Sequence, residues 1–165
     1  VKILKFLTDG MLGKLTRWLR MLGHDVEYSK SLDDDQLIAV AKEEGRVLLT
    51  RDLKLYQRAA SRGTDAFLVE GKTEDEKLAE LAKRFNLKLE IDVATSYCPK
   101  CNTRIELVSK DEVADHVPST TYSYYNEFWK CPKCGQIYWQ GAHWKRIEAT
   151  LKKASKTLES SGLQV

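Results

Sequence analysis

Four cysteines stand in two knuckles, Cys98-Pro-Lys-Cys101 and Cys131-Pro-Lys-Cys134, and the chain has no others. C-x2-C spacing turns both sulfurs of a pair toward one point. Proline presets the turn, and Gly135 after the second knuckle permits the positive φ that aims backbone N–H groups at sulfur. Two knuckles supply four thiolates in a tetrahedral set, which suits Zn2+. Cys98, Cys101, Cys131 and Cys134 are therefore expected to hold a structural zinc ribbon. A closed four-sulfur shell offers no open position to a substrate, so any catalysis must lie elsewhere. His116 and His143 are left outside that shell, and His24 reads as structural. A thioredoxin-like C-x-x-C occurs once and opens a helix in a βαβ unit. Here the motif is doubled and lies in the C-terminal half, which argues against a redox centre.

The other half of the chain alternates. At 165 residues there is room for one ordinary domain and a small one. Strand-length apolar runs fall at 2–8, 26–28, 47–50 and 66–69. Between and after them, helical periodicity marks 11–22, 34–44, 53–61 and 75–85, with Gly23, Gly45 and Gly63 as stops. Such alternation predicts a mostly parallel sheet covered on both faces, an α/β class. The pattern stops near Asn86, and 87–93 reads as a last strand or a connector. The expected division is 1–94 for the α/β domain, 95–144 for the ribbon, and 145–165 for a basic C-terminal helix and tail.

Ligands of an open parallel sheet bind outside the carboxyl ends of its strands. Asp9 follows the first strand, Asp33-Asp34-Asp35 follows the second, and Asp52 follows the third. Carboxylates gathered on one rim repel unless a cation sits among them, and hard oxygen donors select Mg2+ or Mn2+. Such an ion orients a water and stabilises the leaving oxygen of a phosphodiester. Asp is also a preferred N-cap, and each of these positions precedes a helix, with Asp34 as the clearest cap. Thr50 either positions a water or satisfies the strand end.

Lys14, Arg17 and Arg20 lie away from the leucine stripe of the first helix, and Arg51, Lys54 and Arg58 flank Asp52. They read either as solvated helix faces or as a basic rim for phosphates. Aromatic residues crowd the ribbon. Most are needed to build its core, and Tyr138 and Trp139 are expected to pack. Trp144, beside Lys145 and Arg146, is the better nucleic-acid contact.

The strings VKILKFLTDGMLGKLTRWLRMLGHDV and DDDQLIAVAKEEGRVLLTRD, with CPKCN and EFWKCPKCGQIYWQGAHW, resemble the Mut-seven-type C-terminal RNase family, a PIN-like domain fused to a zinc ribbon. The likeness runs to about Trp144. It implies a PIN-type α/β/α sandwich and a metal-dependent ribonuclease, with Asp9, Asp34 and Asp52 as the acidic residues around Mg2+ or Mn2+. A fourth acidic residue would come from Asp33, Asp35 or Asp75. RNA, expected to be single-stranded, is the implied partner, and the charge and aromatic placement offers Lys14, Arg17, Arg20, Arg51, Trp144 and Lys145 as its contacts.

A non-catalytic RNA-binding module that keeps the fold is the alternative. A phosphoryl-accepting signalling domain would want a lysine ending a late strand, where only Lys72 is near. Cysteines arranged for metal suggest a reducing, cytoplasmic setting, and no apolar run approaches membrane-spanning length.

Overall fold

Phe6 and Leu7 point to opposite faces of the first strand and divide the core of the α/β unit in two. The structure, a computed structural model, describes residues 4–162. The elements of this unit run β1 (Lys5–Asp9), α1 (Gly13–Met21), β2 (Asp25–Ser29), α2 (Asp34–Glu44), β3 (Val47–Thr50), α3 (Leu53–Ser61), β4 (Ala66–Leu68) and α4 (Glu74–Phe85). All strand pairs are parallel, in the order β2-β1-β3-β4. Phe6, Val26 and Leu49 face a core with Leu15 and Leu19 of α1 and Leu78 and Leu81 of α4. Leu7 and Leu48 face the other, with Leu37, Ile38 and Ala41 of α2 and Leu55 and Ala59 of α3. Two-residue alternation along the strands thus produces the three-layer sandwich. The expected start of β1 at Lys2 lies outside the described residues. Residues 87–92 form a connector rather than a strand.

The ribbon consists of β5 (Glu106–Val108), α5 (Lys110–Val113), α6 (Ser119–Tyr124), β6 (Phe128–Lys130) and β7 (Ile137–Tyr138). Its strands pair antiparallel in the order β5-β6-β7. The two knuckles share one backbone pattern. The Cys98 N–H donates to Thr103 O and Asn102 N–H to Cys98 O, at 2.7 and 2.9 Å. In the second, Cys131 N–H donates to Gln136 O and Gly135 N–H to Cys131 O, at 3.0 and 2.9 Å. Trp129 packs around the cysteines with Ile105, and Phe128 packs with Trp139 in a second small core.

The C-terminal helix α7 (Trp144–Gly162) returns to the sandwich. Ile147, Leu151, Ala154 and Leu158 recur at helical spacing, and Leu151 and Ala154 are buried in the core shared with α1 and α4. The helix set apart at residue 145 thus shares its core with the α/β unit and not with the ribbon that precedes it. The lysines of α7 occupy its other face: Lys145, Lys152, Lys153 and Lys156 are exposed.

Candidate metal and RNA site

The strand order reverses between β1 and β3, and ligands of an open parallel sheet bind outside the carboxyl ends at such a switch point. Asp9 ends β1 and is 8% exposed. Its Oδ1 accepts the Met11 N–H at 3.1 Å, and its Oδ2 accepts the Thr50 hydroxyl at 2.6 Å. The same Thr50 oxygen accepts the Asp52 N–H at 3.0 Å. Asp52 in turn caps α3, its Oδ1 accepting Lys54 N–H at 2.9 Å and Leu55 N–H at 3.2 Å. Asp9, Thr50 and Asp52 form one hydrogen-bonded path across the switch point. Capping and ligation are not exclusive here, because each aspartate caps with Oδ1 alone and a carboxylate oxygen retains further acceptor capacity.

Asp34 is placed differently. Asp33, not Asp34, is the N-cap of α2, in a reciprocal capping box with Gln36. Asp34 lies 3.8 Å from the Arg58 guanidinium, while Asp35 lies 3.6 Å from Arg58 and 2.9 Å from Arg62. Arg58 of α3 and Arg62 just past its end already neutralise that turn. Asp75, one possible fourth acid, is buried near Lys153 of α7 at 3.9 Å. Its neighbour Glu74 carries no signal in the sequence beyond that of an ordinary first-turn acid. One Glu74 oxygen takes Lys77 at 3.2 Å, and the other is buried without a hydrogen-bond partner.

Among the described residues, one group of three or more potential metal ligands converges, and it is the cysteine set, with all four sulfurs within 4.8 Å of one another. The 3.8 Å between the Cys98 and Cys134 sulfurs equals the roughly 3.8 Å between sulfurs on a tetrahedral Zn2+ with 2.3 Å bonds, and the 3.2 Å between Cys101 and Cys131 falls short of it. Without an ion, four thiols this close divide their protons unequally. Burial and the neighbouring thiols push Cys131 up to about 12. Burial acts the same way on Cys101, but the Thr103 hydroxyl and the other thiols outweigh it and bring Cys101 down to about 6. Tyr138, whose own ionisation is suppressed by burial and by the Cys98 sulfur, sits 3.0 Å from that sulfur. A hydroxyl at that distance would donate to the Cys98 sulfur were it a metal-bound thiolate.

The Mut7-C RNase domain family matches the sequence over residues 4–151. The chain belongs to that family. No curated protein and no solved structure matched it. The match makes RNA the substrate class of this Mut7-C domain, and it reaches Leu151, inside the part of α7 that completes the sandwich.

The basic residues of the Mut7-C domain fall into two groups. Lys14 and Arg17 are exposed on α1, and Lys145 is exposed at the start of α7. Arg20 is not on a solvated rim: it is 7% exposed, and burial lowers its basicity against the pull of Glu27 and the cysteine sulfurs. Its Nε and Nη2 donate to Val26 O at 2.9 and 2.7 Å, and its Nη1 donates to Pro99 O at 2.8 Å. Val26 belongs to the edge strand β2, and Asn102 Oδ1 accepts its N–H at 3.0 Å. Arg20 and Asn102 thus satisfy both outward backbone groups of an edge residue and seat the first knuckle on the sheet. Arg51 is also committed, donating to the carbonyls of Gly71 and Val69 in the loop after β4. Trp144 is half-buried beside Ile91, Trp129 and Ile147.

Proposed function

We propose that this chain is a divalent-metal-dependent ribonuclease whose reactive centre is the rim between Asp9 and Asp52. One observation carries the reading. Asp9 is a buried carboxylate whose partners among the described residues are both neutral, the Thr50 hydroxyl and a backbone N–H. Among the described residues, neither Asp9 nor Asp52 has a cationic partner, whereas Asp34 has Arg58. Buried charges are paired or coordinate metal, and oxygen donors of this kind fit Mg2+ or Mn2+.

Such an ion supplies a nucleophilic water and charge stabilisation at phosphorus. Asp9 and Asp52 hold it and Thr50 fixes the orientation of Asp9. Asp34, next along the rim, joins the site if Arg58 releases it toward a bound phosphate. In the hydrolysis such a site would catalyse, a water oxygen bonds to phosphorus, the bond from phosphorus to the departing ribose oxygen breaks, and a proton of that water ends on the departing oxygen. Lys14 and Arg17 hold single-stranded RNA beside the rim, and Trp144 with Lys145 offers a further contact at the ribbon. The four cysteines hold Zn2+ as a structural ion. That chemistry suits a reducing compartment such as the cytoplasm, and no described helix is long and apolar enough to cross a membrane.

The test is cleavage of end-labelled single-stranded RNA by zinc-loaded protein with Mn2+ or Mg2+, against Asp9→Asn. Ion-dependent cleavage that the variant lacks supports the assignment, and equal cleavage by both removes it. RNA binding with no cleavage at any ion concentration favours the non-catalytic module, a reading that the Arg58-held Asp34 supports.

A further inference from the structure

An open groove of about 600 Å3 runs along the exposed flank of α1, between β2 and the first cysteine knuckle. Lys14 and Arg17 of α1, Lys30 just past β2, and Lys100 of the knuckle line it together with Tyr28 and Pro99. Arg20 lies in its floor, and no acidic side chain is among its lining residues. Lys14, Arg17, Lys30 and Lys100 are all exposed. A chain whose formal charge is only +3 has gathered five cations along one groove. A concave wall of one sign focuses the field and attracts a polyanion.

The geometry ties this groove to the proposed reactive rim. Asp9 is in register with Ser29 of β2, so Lys30 stands one residue beyond the partner of Asp9. The Tyr28 hydroxyl donates to Gly10 O at 3.0 Å, immediately after Asp9. A side chain at Gly13 would come within 3.3 Å of the same hydroxyl, so the wall there is closely packed. The Lys30 ammonium lies 6.0 Å from the Tyr28 ring centre. At the other end, Lys100 Nζ makes a 2.7 Å hydrogen bond to Gln136 of the second knuckle, using one of its three donors.

We propose that the groove is the track of the RNA strand, carrying its phosphates from the Asp9–Asp52 rim across Tyr28 to the first knuckle. The proposal rests on the ribonuclease reading and adds where the strand lies. Its cations come from three separate segments, which suits a repeating phosphate backbone better than one small anion. Tyr28 offers a ring on which a base can stack. An acidic peptide would meet the same charges but brings no base to stack on the Tyr28 ring. Zinc acquires a second role in this arrangement: the ion shapes the knuckle that presents Lys100, so it supports RNA affinity while standing apart from the chemistry.

The test uses the full zinc-loaded chain carrying Asp9→Asn, with labelled single-stranded poly(U) followed by fluorescence anisotropy over a range of salt. Lys30→Glu and Lys100→Glu are each expected to weaken binding about tenfold and to flatten the salt slope by about 0.7, the share of one phosphate contact on a single strand. Lys42→Glu, on α2 across the sheet, should bind as the parent does, and polyglutamate should fail to displace the RNA. Groove variants that bind like the parent, or equal displacement by polyglutamate, would overturn the track. Cleavage is read separately on the chain that keeps Asp9, which is the parent in that comparison. A parent that binds through the groove yet cleaves nothing with Mn2+ ends the ribonuclease reading and leaves the track standing. A cleaving parent with unaffected groove variants does the reverse.

Discussion

Asn102 stands in the first knuckle where Gly135 stands in the second. Both adopt positive φ, 59° and 78°, and each donates its N–H to the first cysteine carbonyl of its knuckle at 2.9 Å. Glycine is the unstrained residue there, and asparagine tolerates the conformation at some cost. The first knuckle accepts that cost because its side chain has a task. Asn102 Oδ1 takes the Val26 N–H, and Nδ2 donates to Asp25 Oδ1 at 2.7 Å.

Asn102→Gly should therefore keep the knuckle and lose the seam. Zinc affinity measured by chelator competition should stay within about twofold, because the turn itself is eased. Stability in urea should fall by about 1 kcal/mol, as the lost hydrogen bonds outweigh the relieved backbone. A firmer variant would mean that the seam contributes nothing.

The seam also has a pH signature. Burial raises the Asp25 carboxyl, but hydrogen bonds from Arg46 and Asn102 outweigh it and hold Asp25 below its ordinary 3.8. A depressed folded value gives stability that is complete above the unfolded value and is lost as pH falls through the folded one. Asp25→Asn should cost about 1–2 kcal/mol at neutral pH, since Arg46 keeps Glu44 at 2.7 Å. The gap between parent and variant should close below pH about 4 in acid denaturation series. A gap that persists at lower pH would contradict this account of Asp25.

Leu151 tests whether α7 belongs to the sandwich. It is 5% exposed, in the same core as Leu78 and Leu81. Leu151→Ala should cost about 2–4 kcal/mol in urea denaturation. A near-zero cost would describe a detached tail.

Much of this was legible in the sequence, and what was not has identifiable physical causes. The strands and helices of the first 85 residues could be read because Phe6/Leu7 and Leu48/Leu49 alternate and because Gly23 and Gly45 stop helices at positive φ. Gly135 was readable for the same reason. The stripe of Ile147, Leu151 and Ala154 was also present, but the lysines between them drew the helix toward the surface. Arg20 was misplaced because spacing shows which face a residue occupies, not that a later segment, Pro99, will cover it. Lys30 and Lys100 carry no local signal at all, since only the fold brings them together. The Asp33–Gln36 capping box was visible as D-x-x-Q, yet the neighbouring aspartates obscured which one capped.

Thr50 is the residue whose role depends most on the proposed chemistry. It is fully buried, and its hydroxyl serves both Asp9 and the Asp52 N–H. Thr50→Val keeps the shape and leaves both partners unsatisfied, at a cost of about 1–3 kcal/mol. If Thr50 positions Asp9, the variant should lose kcat for RNA cleavage with KM little changed, and Thr50→Ser should restore it. Loss of stability with kcat intact would reduce Thr50 to a strand-end residue.

Anomalous scattering from crystals of the zinc-loaded protein soaked in Mn2+ tests the central claim most directly. The account predicts a manganese peak at the carboxyl edge of the sheet, within bonding distance of the Asp9 and Asp52 carboxylates and absent from Asp9→Asn crystals. A map with zinc at the four cysteines, the Asp9–Thr50 bond intact and no manganese at that rim would contradict it.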